Sequence, residues 1–167
     1  MQPQFKLPPR KNAIFKSAIE FEKGLILGNG AFATVCQAVH IATKKKFALK
    51  QINLSKIAQV DHENIFKELE IHSRISSPFI VRMYDFWKEG PMIYLVLELC
   101  PNGNLYRYMN TKNLTELEMR KFFVQTVMGI KYLHSQGIIM RDLKPENIFV
   151  LNDVPVIGDF GLVDFPM

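Results

Sequence analysis

Residues 140 to 147 read M-R-D-L-K-P-E-N and residues 158 to 161 read G-D-F-G, so two aspartates, a lysine and an asparagine stand at short fixed spacings. Their capacities are complementary. Asp142 can accept a hydroxyl proton, Lys144 can offset charge on a moving phosphoryl group, and Asn147 and Asp159 can offer oxygen ligands to magnesium. That is the layout of a metal-dependent phosphoryl-transfer site. A second run, L-G-N-G-A-F-A-T-V at 27 to 35, contains Gly28 and Gly30, which let backbone N–H groups approach phosphate oxygens with no side chain in the way. Alone it is equally a hairpin turn, because the third glycine of a G-x-G-x-x-G pattern is Ala33. A third run, F-A-L-K at 47 to 50, ends an apolar strand in Lys50, which in isolation reads as ordinary surface snorkelling.

Regular elements must hold these groups in place. Three β-like runs, at 21 to 28, 33 to 41 and 45 to 52, surround the glycine turn. The β-branched, apolar stretch after the glycines excludes a dinucleotide fold, which would open a helix there. Residues 54 to 76 carry Ile65, Leu69, Ile71 and Ile75 at helical spacing, and two more strands are predicted at 80 to 87 and 92 to 99 across an E-G-P turn. This part is an antiparallel sheet with one long helix. After C-P-N-G at 100 to 103 the pattern turns helical. Thr115 and Glu118 form a capping box and Leu114 can staple onto Met119, so a helix starts at Thr115. Met119, Phe122, Phe123, Val127, Ile130 and Leu133 then mark one apolar face, and Gly137 offers the stop. The fold class is α+β.

Composition bounds the function classes. With 167 residues, 48% hydrophobic and 22% charged, the chain is globular and holds one core of ordinary size. The net charge of +5 suggests nucleic acid until it is located: residues 1 to 24 carry Lys6, Arg10, Lys11, Lys16 and Lys23 against Glu20 and Glu22, so most of the excess sits in the lead segment. That segment, residues 1 to 20 with Pro3, Pro8 and Pro9, reads as a flexible basic leader rather than a binding arm. Cys36 and Cys100 form neither a disulfide framework nor a C-x-x-C metal spacing. No membrane span or signal peptide is legible, so a reducing intracellular compartment, cytoplasmic or nuclear, is expected, with no nucleic-acid or membrane partner.

Taken together, the runs at 27 to 35, 47 to 50, 67 to 72, 94 to 100 and 140 to 161 resemble, in order, the motifs of the protein kinases. Lys144, two places after Asp142, resembles the serine/threonine branch, and the helix and hinge wording is most similar to the Aurora and polo-like groups. The resemblance implies a bilobal fold, with an N-lobe at 21 to 99 and part of a helical C-lobe at 100 to 167. It implies ATP and Mg²⁺ as cofactors and a protein Ser/Thr hydroxyl as acceptor. The glycine loop contributes Leu27, Gly28, Asn29, Gly30, Ala31, Phe32, Ala33 and Val35, with Leu27 and Val35 against the adenine. Ala48 is a further nucleotide contact. Lys50 engages phosphate oxygens and is held by a helix glutamate. Glu68, ten residues before Pro78, is preferred; Glu70 reads as a solvated charge and Glu63 as the weaker third candidate. Y-L-V-L-E-L-C at 94 to 100 resembles the strand and hinge joining the lobes, so Leu97 is the gatekeeper while Glu98 and Cys100 present backbone groups to the adenine.

Three departures accompany the resemblance. Met140 replaces the family's histidine in an apolar column expected to include Met83, His72 and Phe160; methionine packs well on aromatic rings but loses the imidazole's hydrogen bonds. Phe149 replaces the smaller apolar residue expected under the adenine, where an aromatic ring either stacks or crowds the pocket, and stacking is favoured. The string ends at Met167 without an A-P-E motif, so we read it as a truncated kinase domain whose helix at 115 to 136 exposes apolar surface. Asn104, at a position where some basic-directed kinases carry glutamate, argues against a strong arginine requirement. The reading is therefore an ATP-dependent serine/threonine kinase domain, the alternative being a non-catalytic nucleotide-binding module.

Overall fold

The computed structural model describes residues 7–10, 13–158 and 163–164. It divides into two compact units, Met1–Arg74 with Met83–Leu99, and Ile75–Arg82 with Cys100–Met167.

The first unit is a five-stranded antiparallel sheet: β1 (Phe21–Asn29), β2 (Ala33–His40), β3 (Lys46–Asn53), β4 (Met83–Glu89) and β5 (Met92–Leu97), in the spatial order β1-β2-β3-β5-β4. Alternation along the strands builds two apolar layers, as a period of two requires. Phe47 and Leu49 of β3, Trp87 of β4 and Tyr94 and Val96 of β5 pack together on one face with Phe21 and Cys36. Ile52, Phe86, Ile93 and Leu95 project to the other face, where Leu69 of helix α1 (His62–Arg74) covers them.

Three boundaries differ most from the sequence expectation. The helix expected from residue 54 begins at His62, because the Asn53 side chain accepts from Ser55 N–H at 3.0 Å and turns the chain into two short 3-10 turns, Leu54–Lys56 and Gln59–Asp61. The strand expected from residue 80 begins at Met83. Ile80 and Val81 belong to the second unit, where Val81 N–H donates to Ile157 O at 2.8 Å and Ile157 N–H to Phe79 O at 2.8 Å. The fifth strand stops at Leu97 rather than 99.

The second unit contains α2 (Leu105–Thr111), α3 (Glu116–Ser135), β6 (Ile139–Met140), the hairpin β7 (Ile148–Leu151) and β8 (Val154–Ile157), and β9 (Val163–Asp164), which pairs with β6. Helix α2 was not legible in the sequence; Asn104 caps it, its side-chain oxygen accepting from Arg107 N–H at 3.0 Å. The capping box at Thr115 and Glu118 is present, and Gly137 ends α3 with φ +71°, a conformation that favours glycine. Asn152 and Asp153, both at positive φ, make the tight turn between β7 and β8, and Tyr108 O–H donates to Asp153 at 2.5 Å.

The apolar face assigned to α3 needs correction. Phe122, Gly129 and Leu133 are buried and Ile130 is half-buried, whereas Met119, Phe123 and Val127 are exposed, Phe123 at 71%. The helix carries apolar residues over more than one face, so a stripe chosen by spacing alone drew from both the buried and the exposed sides. Leu114, expected to staple onto Met119, packs on the cluster of Leu105, Tyr108 and Phe122. No described helix is long and apolar enough to cross a membrane.

The lead segment also differs from expectation. Phe15 is 5% exposed within the aromatic layer, and Arg10 pairs with Asp85 of β4, so part of the expected flexible leader is docked on the sheet.

Gly129 marks the tightest approach of α3 to its neighbours: a Cβ there would lie 2.9 Å from Ile157 Cδ1 and 3.2 Å from Phe79 Cβ. Gly129→Ala is therefore expected to lower stability by about 1–3 kcal/mol through overpacking, despite alanine's better helix propensity. Thermal melting beside the parent checks this; an equal or higher melting temperature would contradict the packing described.

Candidate active site

In the first unit the sheet register gathers the expected nucleotide contacts onto one face. Val35 pairs with Lys50 and Ala48 pairs with Leu97, and residues directly opposite in a ladder project to the same side. Ala48 and Lys50 are two apart on β3, so Val35, Ala48, Lys50 and Leu97 share that face, the one covered further along by α1. Lys50 Nζ lies 3.1 Å from Glu68 Oε1, and both side chains are largely buried. Glu68 is thus the paired glutamate. Glu70 pairs with Arg74 and Glu63 with Lys67 at 3.0 Å, both i,i+4 pairs along the helix.

The glycine turn between β1 and β2 is tied by Gly30 N–H to Ala33 O at 2.8 Å and by Thr34 Oγ1–H to Asn29 Oδ1 at 2.8 Å. Asn53 N–H donates to Phe32 O at 3.0 Å, fixing the turn to the end of β3. A Cβ on Gly28 would meet nothing within 4 Å, and Gly28 is not at positive φ, so no internal packing or backbone strain demands glycine there. Open space beside bare backbone is what a phosphate cradle needs. Leu27 and Phe32 are exposed and Ala33 and Val35 half-buried; Ala31 lies on the exposed tip. Glu98 and Cys100 flank the boundary of the two units in irregular, half-buried backbone.

In the second unit the loop after β6 brings Asp142, Lys144 and Asn147 together. Lys144 Nζ lies 2.5 Å from Asp142 Oδ2, and Asn147 Nδ2 donates to Asp142 O at 2.9 Å and to Asp142 Oδ2 at 3.2 Å. The hydrogen bond from Lys144 holds the Asp142 carboxyl below its ordinary pKa; desolvation opposes it, and the Lys144 charge and Asn147 add to the lowering. Asp142 is therefore an ionised, solvent-facing acceptor. Pro145 opens a short 3-10 turn that carries Asn147 back over the loop, and Asn147 O accepts from Gly158 N–H at 3.0 Å. One buried asparagine thereby ties the loop to the residue preceding Asp159.

Gly158 escaped the sequence reading. A Cβ there would lie 2.9 Å from two Phe149 ring carbons and 3.0 Å from Val81 Cγ2, so the extra bulk of Phe149 is accommodated by glycine at 158. The signal was available as the glycine before D-F-G, but nothing in the string pairs it with residue 149. Asp159 and Phe160 lie outside the described residues, as therefore do half of the expected magnesium ligands and one member of the expected apolar column. Of that column's other members, His72 is buried and Met83 half-buried in the first unit, and Met140 is half-buried in the second, paired with Val163. Among the described residues no group of three or more His, Cys, Asp or Glu side chains could hold a metal ion.

Residues 21–165 match the protein kinase domain family. The chain is 39% identical over 156 residues to serine/threonine-protein kinase PLK4 of Drosophila melanogaster, covering 90% of this chain and 20% of that protein. Against serine/threonine-protein kinase PLK4 of Nematostella vectensis it is 39% identical over 141 residues, covering 82% of this chain and 14% of that protein. The chain thus spans at most about a fifth of the length of these relatives.

The Asp142 carboxyl is expected to titrate below the ordinary aspartate value of about 3.9, and Lys144→Ala should move it upward toward that value. A depressed folded-state pKa contributes stability that is present above the unfolded value and lost as pH falls through the folded pKa, so the substitution should also shrink that acid-side loss. Carboxyl carbon-13 NMR titration reads both chains. An unmoved Asp142 resonance would show that Lys144 is not its principal partner.

Proposed function

This chain belongs to the protein kinase family, and we propose that it is of the serine/threonine, polo-like kind and transfers the γ-phosphoryl group of ATP to a Ser or Thr hydroxyl of a protein. The observation that carries the proposal is the Asp142 carboxylate, kept ionised, exposed and oriented by Lys144 and Asn147. An acceptor-only carboxylate so held can take the hydroxyl proton and aim the oxygen at phosphorus. Lys144 then offsets charge gathering on the transferred group.

In the same reading Lys50, fixed by Glu68, engages the α and β phosphates, and the bare backbone beside Gly28 leaves them room to approach the turn. Val35, Ala48 and Leu97, sharing the face of Lys50, contact the adenine, as do Leu27 and the backbone of Glu98 and Cys100. Phe149 is proposed as a further adenine contact. Asn147 suits a magnesium ligand: its amide nitrogen is committed to Asp142, which leaves its oxygen as the acceptor end, and Asp159 is the proposed second ligand. Magnesium, when bound, neutralises phosphate charge and fixes the geometry of the transfer. The protein supplies placement and electrostatics rather than a covalent intermediate. An intracellular setting belongs to the same proposal, supported by two free cysteines.

A second reading, a nucleotide-binding module without transfer, is favoured by Met140 at the family's histidine position, since methionine cannot supply hydrogen bonds that orient the adjoining loop. Two substitutions separate the readings. Lys50→Met is expected to weaken Mg-ATP binding, measured by calorimetry. Asp142→Asn should retain that affinity and abolish transfer from γ-labelled ATP to a Ser/Thr peptide pool. Background-level transfer by the folded parent, with ATP affinity intact, would favour the second reading, and ATP affinity unchanged by Lys50→Met would remove Lys50 from the site.

A further inference from the structure

The segment before β1 is held chiefly by side chains of β4, with His40 of β2 facing Phe15 and Glu20. Asp85 of β4, its side chain 1% exposed, accepts from Arg10 Nε at 2.8 Å, from Arg10 Nη2, and from the backbone N–H groups of Ile14 and Phe15, each at 2.8 Å. Four residues along the same strand, Glu89 Oε1 accepts from Ala18 N–H at 2.8 Å and from Trp87 Nε1–H at 2.7 Å. β4 is an edge strand, so its outer side is open to a further segment. Here that segment is gripped by two carboxylates.

Between these grips Phe15 enters a socket. Its ring lies 4.9 Å from Phe21, 5.0 Å from His40 and 5.6 Å from Phe47, centroid to centroid, in edge-on geometry. The socket is supported from behind without Phe15: Phe21 stacks on Trp87 at 6.0 Å, Trp87 on Tyr94 at 5.4 Å, and Phe47 meets Tyr84 at 5.2 Å. Of its apolar neighbours in the segment, Ala18 packs against the same cluster, while Ile14 is 53% and Ile19 81% exposed. One arginine, one aromatic ring and consecutive N–H groups therefore make up the principal grip. That is the economy of a docked linear motif rather than of a core strand.

We propose that the sheet face opposite α1 is a peptide-docking site, with Asp85 and Glu89 as polar receptors and Phe21, His40 and Phe47 as apolar socket, and that Arg10 together with residues 13–20 of this chain is its exchangeable occupant. The motif it takes has an arginine five residues before an aromatic and, in this chain, a capped 3-10 turn at Ala18–Glu20 after it. The segment lies before the family match, which begins at residue 21, so the site is an addition to the kinase unit rather than part of its phosphoryl-transfer chemistry. Opening the segment returns Asp85 to water, which spares the cost of an unpaired buried carboxylate and lets the segment leave without unfolding the sheet. The occupant in cis has the advantage of high effective concentration, so a competing peptide acts only when the segment is weakened.

The test uses the full chain with Arg10→Ala and Phe15→Ala combined, and a labelled synthetic peptide of residues 7–20, read by anisotropy and by fluorescence of the sole tryptophan, Trp87. The double variant is expected to bind at least about tenfold more tightly than the parent, and adding Asp85→Asn should abolish binding. Equal peptide affinity for parent and double variant, or affinity indifferent to Asp85→Asn, would overturn the proposal. Hydrogen exchange on the parent tests it without any substitution: the amides of Ile14, Phe15 and Ala18 should open independently of β3 and β5. Exchange of those amides only with global unfolding would show the segment to be fixed core and overturn the exchange. Concentration-dependent dimers that disappear in the double variant would identify a second copy's segment as the occupant and overturn occupancy in cis.

Discussion

The pairing of Lys50 with Glu68 is the constraint around which the first unit is organised. A lysine ammonium and a carboxylate that are both mostly buried are tolerable only when each has the other, because either alone would carry a large desolvation cost. The pair can form only if β3 turns Lys50 toward α1 and α1 turns Glu68 back toward β3. The first condition depends on the register β2-β3-β5, which also aligns Val35, Ala48 and Leu97 beside the lysine. The second depends on where α1 begins, which is set by the two 3-10 turns after Asn53 and by His62, whose Nε2 lies 3.1 Å from both Leu54 O and Ile57 O. Ile52, Leu69, Phe86 and Leu95 then supply the apolar packing that keeps helix and sheet together.

The second unit solves a different problem, holding polar groups at a surface without regular structure. Its loop from Asp142 to Asn147 has no ladder of its own, and its order comes from Asn147, which bonds Asp142 in front and accepts from Gly158 behind. Helix α2 and strand β7, which meet its short turn, give that asparagine a fixed base. Half-exposure of Asp142 and burial of Asn147 are two aspects of one arrangement: the carboxylate proposed to act reaches solvent while the side chain that orients it is enclosed.

The lead segment shows how charge can mislead when read as a total. Its lysines and arginine suggested a solvated tail, yet Arg10 is matched to a carboxylate on β4 and Phe15 to an aromatic socket formed by residues distant in sequence. Binding partners of this kind have no local signature. Asp85, in the run M-Y-D-F-W, reads as an ordinary polar position on an alternating strand, and its role appears only when residue 10 is brought beside it.

What the sequence by itself determined is everything that depends on short-range order. The spacing of Asp142, Lys144 and Asn147, the glycine turn, the strand ending in Lys50 and the capping box at Thr115 are each contained within a few residues, where steric and hydrogen-bonding rules act directly. The tertiary structure decided what depends on several layers meeting. It selected Glu68 geometrically over Glu63 and Glu70, moved the start of α1 to His62, and assigned Ile80 and Val81 to the second unit. It buried Phe122 and Leu133 while leaving Phe123 exposed, and set Gly158 against Phe149. Periodicity can say that a helix or strand has an apolar side, but when apolar residues occupy more than one side, only the neighbour that arrives from elsewhere in the chain chooses which is covered.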